Sequence, residues 1–186
     1  MSWFIKICYG VVAVGLLGML MACSDPATKV NGKSEKVLYF DLPSYFQKEI
    51  DSLKKLDPMV EKTVAKDEQE ETKKLKIKDW EAEFASFKNI DLNKSAYADF
   101  IQVDSSDNLL EYSFNDPKSD LSCVRIELDG KGNPKVITVQ RDVKNNLYHT
   151  SEFLMYEKGK YYIVEKNQDV KVMGANKYKV QGHFGS

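Results

Sequence analysis

Cys123, His149 and His183 are the residues whose types could carry nucleophilic or metal chemistry. A thiolate needs a neighbouring base, and either histidine could serve, which would make the chain a small hydrolase or thiol enzyme. Nothing local marks Cys123 as an activated thiolate; the other cysteines, Cys8 and Cys23, lie in the N-terminal segment, and an isolated cysteine reads first as a buried apolar residue. Zinc needs three or four ligands at set spacing, and the sequence holds neither paired cysteines nor a His-Glu-x-x-His run. No Gly-x-Ser-x-Gly elbow occurs. Glu81 and Glu83 stand two apart and diverge on a helix, which suits a carboxylate pair poorly. Asp129-Gly-Lys-Gly-Asn133 lacks the succession of acids of a calcium loop and reads as a hairpin turn. Ala27-Thr-Lys-Val-Asn-Gly32-Lys33-Ser34 fits a loosened phosphate-loop pattern, but no strand precedes it and no helix follows. The sequence therefore assigns no catalytic residue, no metal ligand and no cofactor.

The elements that would position these side chains follow from periodicity. Asp41-Leu42-Pro43 opens a helix, with Asp41 as N-cap and proline tolerated in the first turn. Leu42, Phe46, Ile50, Leu53 and Leu56 recur on one helical face, and Asp57-Pro58 ends it. Val60 and Val64 then alternate with polar partners, Asp67–Glu71 turns the chain, and Lys73, Leu75 and Ile77 complete a hairpin. A second helix takes Asp79 as N-cap, with Trp80, Phe84 and Phe87 as a core-facing stripe.

The rest is strand signal, over 97–103, 109–114, 121–128, 135–143, 147–156, 161–166, 170–173 and 178–184. Short Gly, Asn, Asp and Lys clusters separate these runs, so neighbours are antiparallel. Val124, Ile126 and Leu128 share one face, as do Ile137, Val139 and Val143, with Arg141 the exception among the latter. In 147–156 both faces carry large apolar residues, which predicts cover on both sides. The expectation is an α+β fold over residues 37–186. Its curved, mostly antiparallel meander sheet, or half-open barrel, carries two amphipathic helices near its start.

The first 22 residues look like an address. Met1–Lys6 carries one positive charge, and Ile7 to Ala22 is free of charge and slightly short for a spanning helix. The run closes on Leu20-Met21-Ala22-Cys23, which resembles the lipobox of bacterial lipoproteins. That resemblance implies a signal peptide over 1–22, lipidation of Cys23, and a tether over 23–36. Two or three acyl chains would hold the protein stably at a membrane where one would not. Ser24 stands where the family's sorting rule places Asp in proteins kept at the inner membrane, so the outer membrane is the expected site. An uncleaved spanning anchor is the competing reading.

Charge narrows the partners. Lys and Arg total 27 against 28 Asp and Glu, and only Arg125 and Arg141 are arginines, so no nucleic acid is expected. Ten Tyr, nine Phe and two Trp suit either a packed core or a concave face for an apolar ligand or another envelope protein. The plan is similar to that of envelope lipoprotein carriers, which hold acyl chains in an open half-barrel. A non-enzymatic binding or assembly module is the functional expectation.

Overall fold

The computed structural model describes residues 39–117 and 119–185. The expected leader and tether, Cys23 included, lie outside the described residues. Leu38–Ser186 forms one compact unit that holds the described core, and a compact unit of this size with its own apolar core is the kind that folds independently.

Helix α1 spans Leu42–Leu56. Asp41 caps it, its Oδ1 accepting from the Ser44 N–H at 3.0 Å. Lys54 and Lys55 in the last turn complement the helix dipole, and Asp57 closes the end in a left-handed conformation with φ 45°. Leu42, Phe46, Ile50 and Leu53 are buried as the periodicity predicts, but Leu56 is 71% exposed because the packed core ends at Leu53. Strands β1 (Met59–Lys66) and β2 (Gln69–Lys76) form the expected hairpin, with a turn of only two residues.

The second helix divides into α2 (Trp80–Glu83) and α3 (Ala85–Lys88), because Phe84 leaves helical geometry at φ −101° and ψ 11°. Asp79 is its N-cap, accepting from the Ala82 N–H at 3.0 Å. The break lets both Phe84 and Phe87 turn fully inward. A single 3-10 turn at Ser95–Tyr97 precedes β3 (Ile101–Ser106), where the sequence had predicted strand from 97.

The remaining strands are β4 (Leu109–Phe114), β5 (Leu121–Leu128), β6 (Pro134–Lys144), β7 (Tyr148–Glu157), β8 (Tyr161–Val170) and β9 (Gly174–Phe184). All nine pair in the order β2-β1-β9-β8-β7-β6-β5-β4-β3, every neighbour antiparallel. The sheet is curved and open, with β2 and β3 as free edges. The expected short strand at 170–173 is instead the β8–β9 turn. Gly174, at φ 81°, supplies the left-handed residue there, while Asn167, Gln168 and Asp169 pair with β7 and so extend β8.

The helices and the 89–100 segment cover one face. Between them and the sheet lie packed rings: Phe46 and Phe87, tilted, at 4.9 Å, and Phe84 edge-to-face with Tyr162 at 5.2 Å and with Tyr156 at 5.4 Å between centroids. Gly182 is required by this packing, since a Cβ there would sit 2.2 Å from the Tyr162 ring. Among the described residues nothing covers the opposite face, so the expected double cover of 147–156 is not found. Phe153 and Met155 are half-buried by their neighbours alone.

Candidate functional site

Two matching polar anchors tie the helices to the sheet. Tyr156 and Tyr162 are register partners on β7 and β8. The Tyr156 hydroxyl donates to Glu49 of α1 at 2.6 Å, and Lys158 donates to the other Glu49 oxygen at 2.6 Å. The Tyr162 hydroxyl donates to Glu83 of α2 at 2.6 Å, and Lys62 donates to its second oxygen at 2.6 Å. Burial, then the adjacent carboxylate, pushes both phenols well above their ordinary range. Both phenols therefore act as permanent donors, which fixes the docking of the helices.

A third polar cluster stands where the packed core stops. Arg141 on β6 faces Glu152 across the ladder. Its guanidinium donates to Glu152 at 2.9 Å and to Asp120 at 2.6 Å, and the Tyr97 hydroxyl donates to Asp120 at 2.6 Å. Arg141 Nε is buried without a partner among the described residues. Burial raises the Asp120 carboxyl, but the bonds from Tyr97 and Arg141 and the guanidinium charge outweigh it, leaving the group below its ordinary value. Toward the far end of the strands lies an open groove of about 230 Å³ bounded by Arg141, Tyr148, Thr150, Glu152 and Gln168. Val143 and Lys166 complete its lining, so hydrogen-bonding side chains predominate. It holds no nucleophile beside a base.

The residues singled out for catalysis share the uncovered face but do not meet. Cys123 on β5 aligns with Gln140 of β6, and Gln140 with Phe153 of β7. His149 is four residues from Phe153, so about 16 Å of sheet separates it from Cys123. His183 lies on β9, four strands from β5. Burial, then Glu111, raises the Cys123 thiol, with Arg125 opposing. His149 Nε2 is 2.8 Å from Asp142 Oδ2 at an exposed position. His183 packs its ring 5.6 Å from that of Tyr161 and contacts Gln181. Among the described residues no group of three or more His, Cys, Asp or Glu could hold a metal.

Periodicity could not find the Glu49, Glu83 and Asp120 contacts, because each joins elements far apart in the chain. Arg141 left one trace, a charge in an otherwise apolar alternation. On the uncovered face Met155 and Ile163 pair in register, and the Tyr161 hydroxyl reaches Met155 Sδ at 3.6 Å. With Phe153 they form a half-exposed apolar strip. No family model, no curated protein and no solved structure matches this chain.

Proposed function

We propose that the chain is a lipid-anchored bacterial envelope protein that works by binding another envelope protein, not by catalysis. The lipobox-like Leu20-Met21-Ala22-Cys23 supports the anchor, and Ser24 supports the outer membrane as its place. The observation that carries the binding role is the contrast between the two faces of the sheet. Phe46, Phe84, Phe87, Trp80, Tyr156 and Tyr162 fill the space beneath the helices where a carrier would hold an acyl chain. Among the described residues the half-exposed strip of Phe153, Met155, Tyr161 and Ile163 has no layer over it, which supports a docking role for this face.

Native mass spectrometry of Leu38–Ser186 purified from cells tests the choice. The expected result is the protein mass alone. A co-purifying acyl ligand would overturn the docking role in favour of a carrier. Metabolic labelling with palmitate tests the anchor separately: Cys23→Ala abolishes the label, and a label that persists overturns it.

A further inference from the structure

Two hairpin tips leave one end of the sheet side by side. Tyr148 at the start of β7 pairs with Val170 at the end of β8, and the Lys171 N–H donates to the Leu147 carbonyl at 3.1 Å. The β6–β7 and β8–β9 turns are therefore one bonded apex. Leu147 is 70% exposed, Tyr148 36%, Val172 92% and Met173 80%. None of the four belongs to the core, so folding gives no reason for their apolar character.

The apex also stands ahead of its neighbours. On one side the Asp67 N–H donates to the Lys177 carbonyl, which places the β1–β2 turn level with Lys177. On the other the Asp142 N–H donates to the Asp120 carbonyl, which places the β4–β5 loop level with Asp142. Each level is about three residues short of the tips, a step of about 10 Å at the rise of a strand. A flat surface approached by this end meets Leu147, Val172 and Met173 first. The acidic residues of the β1–β2 turn stay about one Debye length behind.

Charge points to the kind of surface. Lys144, level with His149 and Asp169 in the ladder, and Lys171, in the β8–β9 turn, are the basic residues nearest the tips, against Asp169; Lys177 lies further back, level with Asp142, which His149 engages. Apolar side chains at a projecting tip, a tyrosine just behind them and a lysine collar match the interfacial zone of a bilayer, which apolar faces enter by about 5–10 Å. A protein partner would need a socket for two tips. A bilayer needs none.

We propose that the paired tips insert into the interface of a bilayer bearing anionic headgroups, with the lysine collar held on the phosphates. This deepens the lipid-anchor reading and rests on it for its setting. Sixteen residue steps from Cys23 to Tyr39 reach at most about 55 Å, while Tyr39, through its contact with Tyr112, lies about 25 Å from the apex along and across the strands. The tips and an anchored Cys23 can thus meet the same membrane, orienting the domain upon it.

The test uses Leu38–Ser186, which lacks Cys23, in sedimentation with vesicles of phosphatidylglycerol and phosphatidylethanolamine, against vesicles of phosphatidylcholine alone. The domain is expected to sediment with the anionic vesicles. Leu147→Ser/Val172→Ser/Met173→Ser lowers partitioning about tenfold or more at an unchanged melting temperature, and each of Lys144→Gln and Lys171→Gln lowers it about fivefold on anionic vesicles only. Wild-type domain left in the supernatant, or a triple variant that binds like wild type, overturns the proposal. So does a concentration-dependent dimer that the triple variant abolishes, which would assign the tips to a second copy. Each of these results leaves Cys23 lipidation untouched, and loss of the palmitate label says nothing about the tips.

Discussion

Gly182→Ala is the smallest change that tests the packing described above. An ideal Cβ at this position would lie 2.2 Å from Tyr162 Cε1 and 2.3 Å from Cζ, whereas carbon atoms rest about 3.5–4.0 Å apart. The ring must retreat by more than an ångström, and it has nowhere to go. It is fully buried, its centroid is 5.2 Å from that of Phe84 and 5.9 Å from that of Phe184, and its hydroxyl is held by Glu83 at 2.6 Å. Overpacking costs about 1–3 kcal/mol, and weakening a hydrogen bond to a charged partner adds about 1.5–3 kcal/mol. Reduced freedom of the unfolded chain returns about 0.5 kcal/mol. A net loss of about 2–5.5 kcal/mol lowers the melting temperature by about 6–17 °C for a domain of this size. The assay is thermal and urea unfolding of Leu38–Ser186, with Tyr162→Ala as the second arm of a cycle. Removing the ring opens the space, so Gly182→Ala should cost almost nothing in that background. An unchanged or raised stability of Gly182→Ala, or an equal cost in both backgrounds, would refute the reasoning.

Glu49→Ala removes the shared acceptor of Tyr156 and Lys158 and is expected to cost about 2–4 kcal/mol in urea unfolding, with Glu49→Gln costing less because it still accepts. Asp120 has a depressed folded pKa, so its contribution is present above the ordinary carboxylate range near ~4 and lost as pH falls through the folded value. Asp120→Asn should therefore flatten the acid limb of a stability–pH profile, and an unchanged limb would contradict the Arg141 cluster. The raised thiol of Cys123 predicts iodoacetamide alkylation slower than in the unfolded chain at every pH up to about 9, measured by mass spectrometry. Asp41→Ala should cost about 1 kcal/mol of stability through loss of the cap on α1.

Local rules read most of the backbone. Asp41 and Asp79 were legible as caps because a short acceptor before an apolar periodic run has one good use, satisfying free N–H groups. The hairpin alternation of β5 and β6 was legible because side-chain direction has a period of two. The same rules failed at 167–173, where polar residues that suggest a loop are held in strand by the β7 ladder and the turn falls on residues 171–173. They failed again at Phe153 and Met155, whose apolar character predicts a covering layer that the described residues do not supply.

The site was less legible than the fold. Cys123, His149 and His183 were chosen for their chemistry, and their strands do lie in one sheet, yet register keeps them apart. The Tyr156–Glu49 contact joins residues 107 positions apart and the Tyr162–Glu83 contact joins residues 79 apart, distances at which no periodicity survives. By itself the sequence determined the caps, the strand alternation, the near-neutral charge and the antiparallel connections, because each depends on neighbours within a few residues. Only the tertiary structure decided that rings fill the space beneath the helices, that Gly182 must be bare, and that Leu147 and Met173 stand at one projecting apex. Those outcomes depend on which strands pair and in what register, and pairing is set by the free energy of the whole packed sheet.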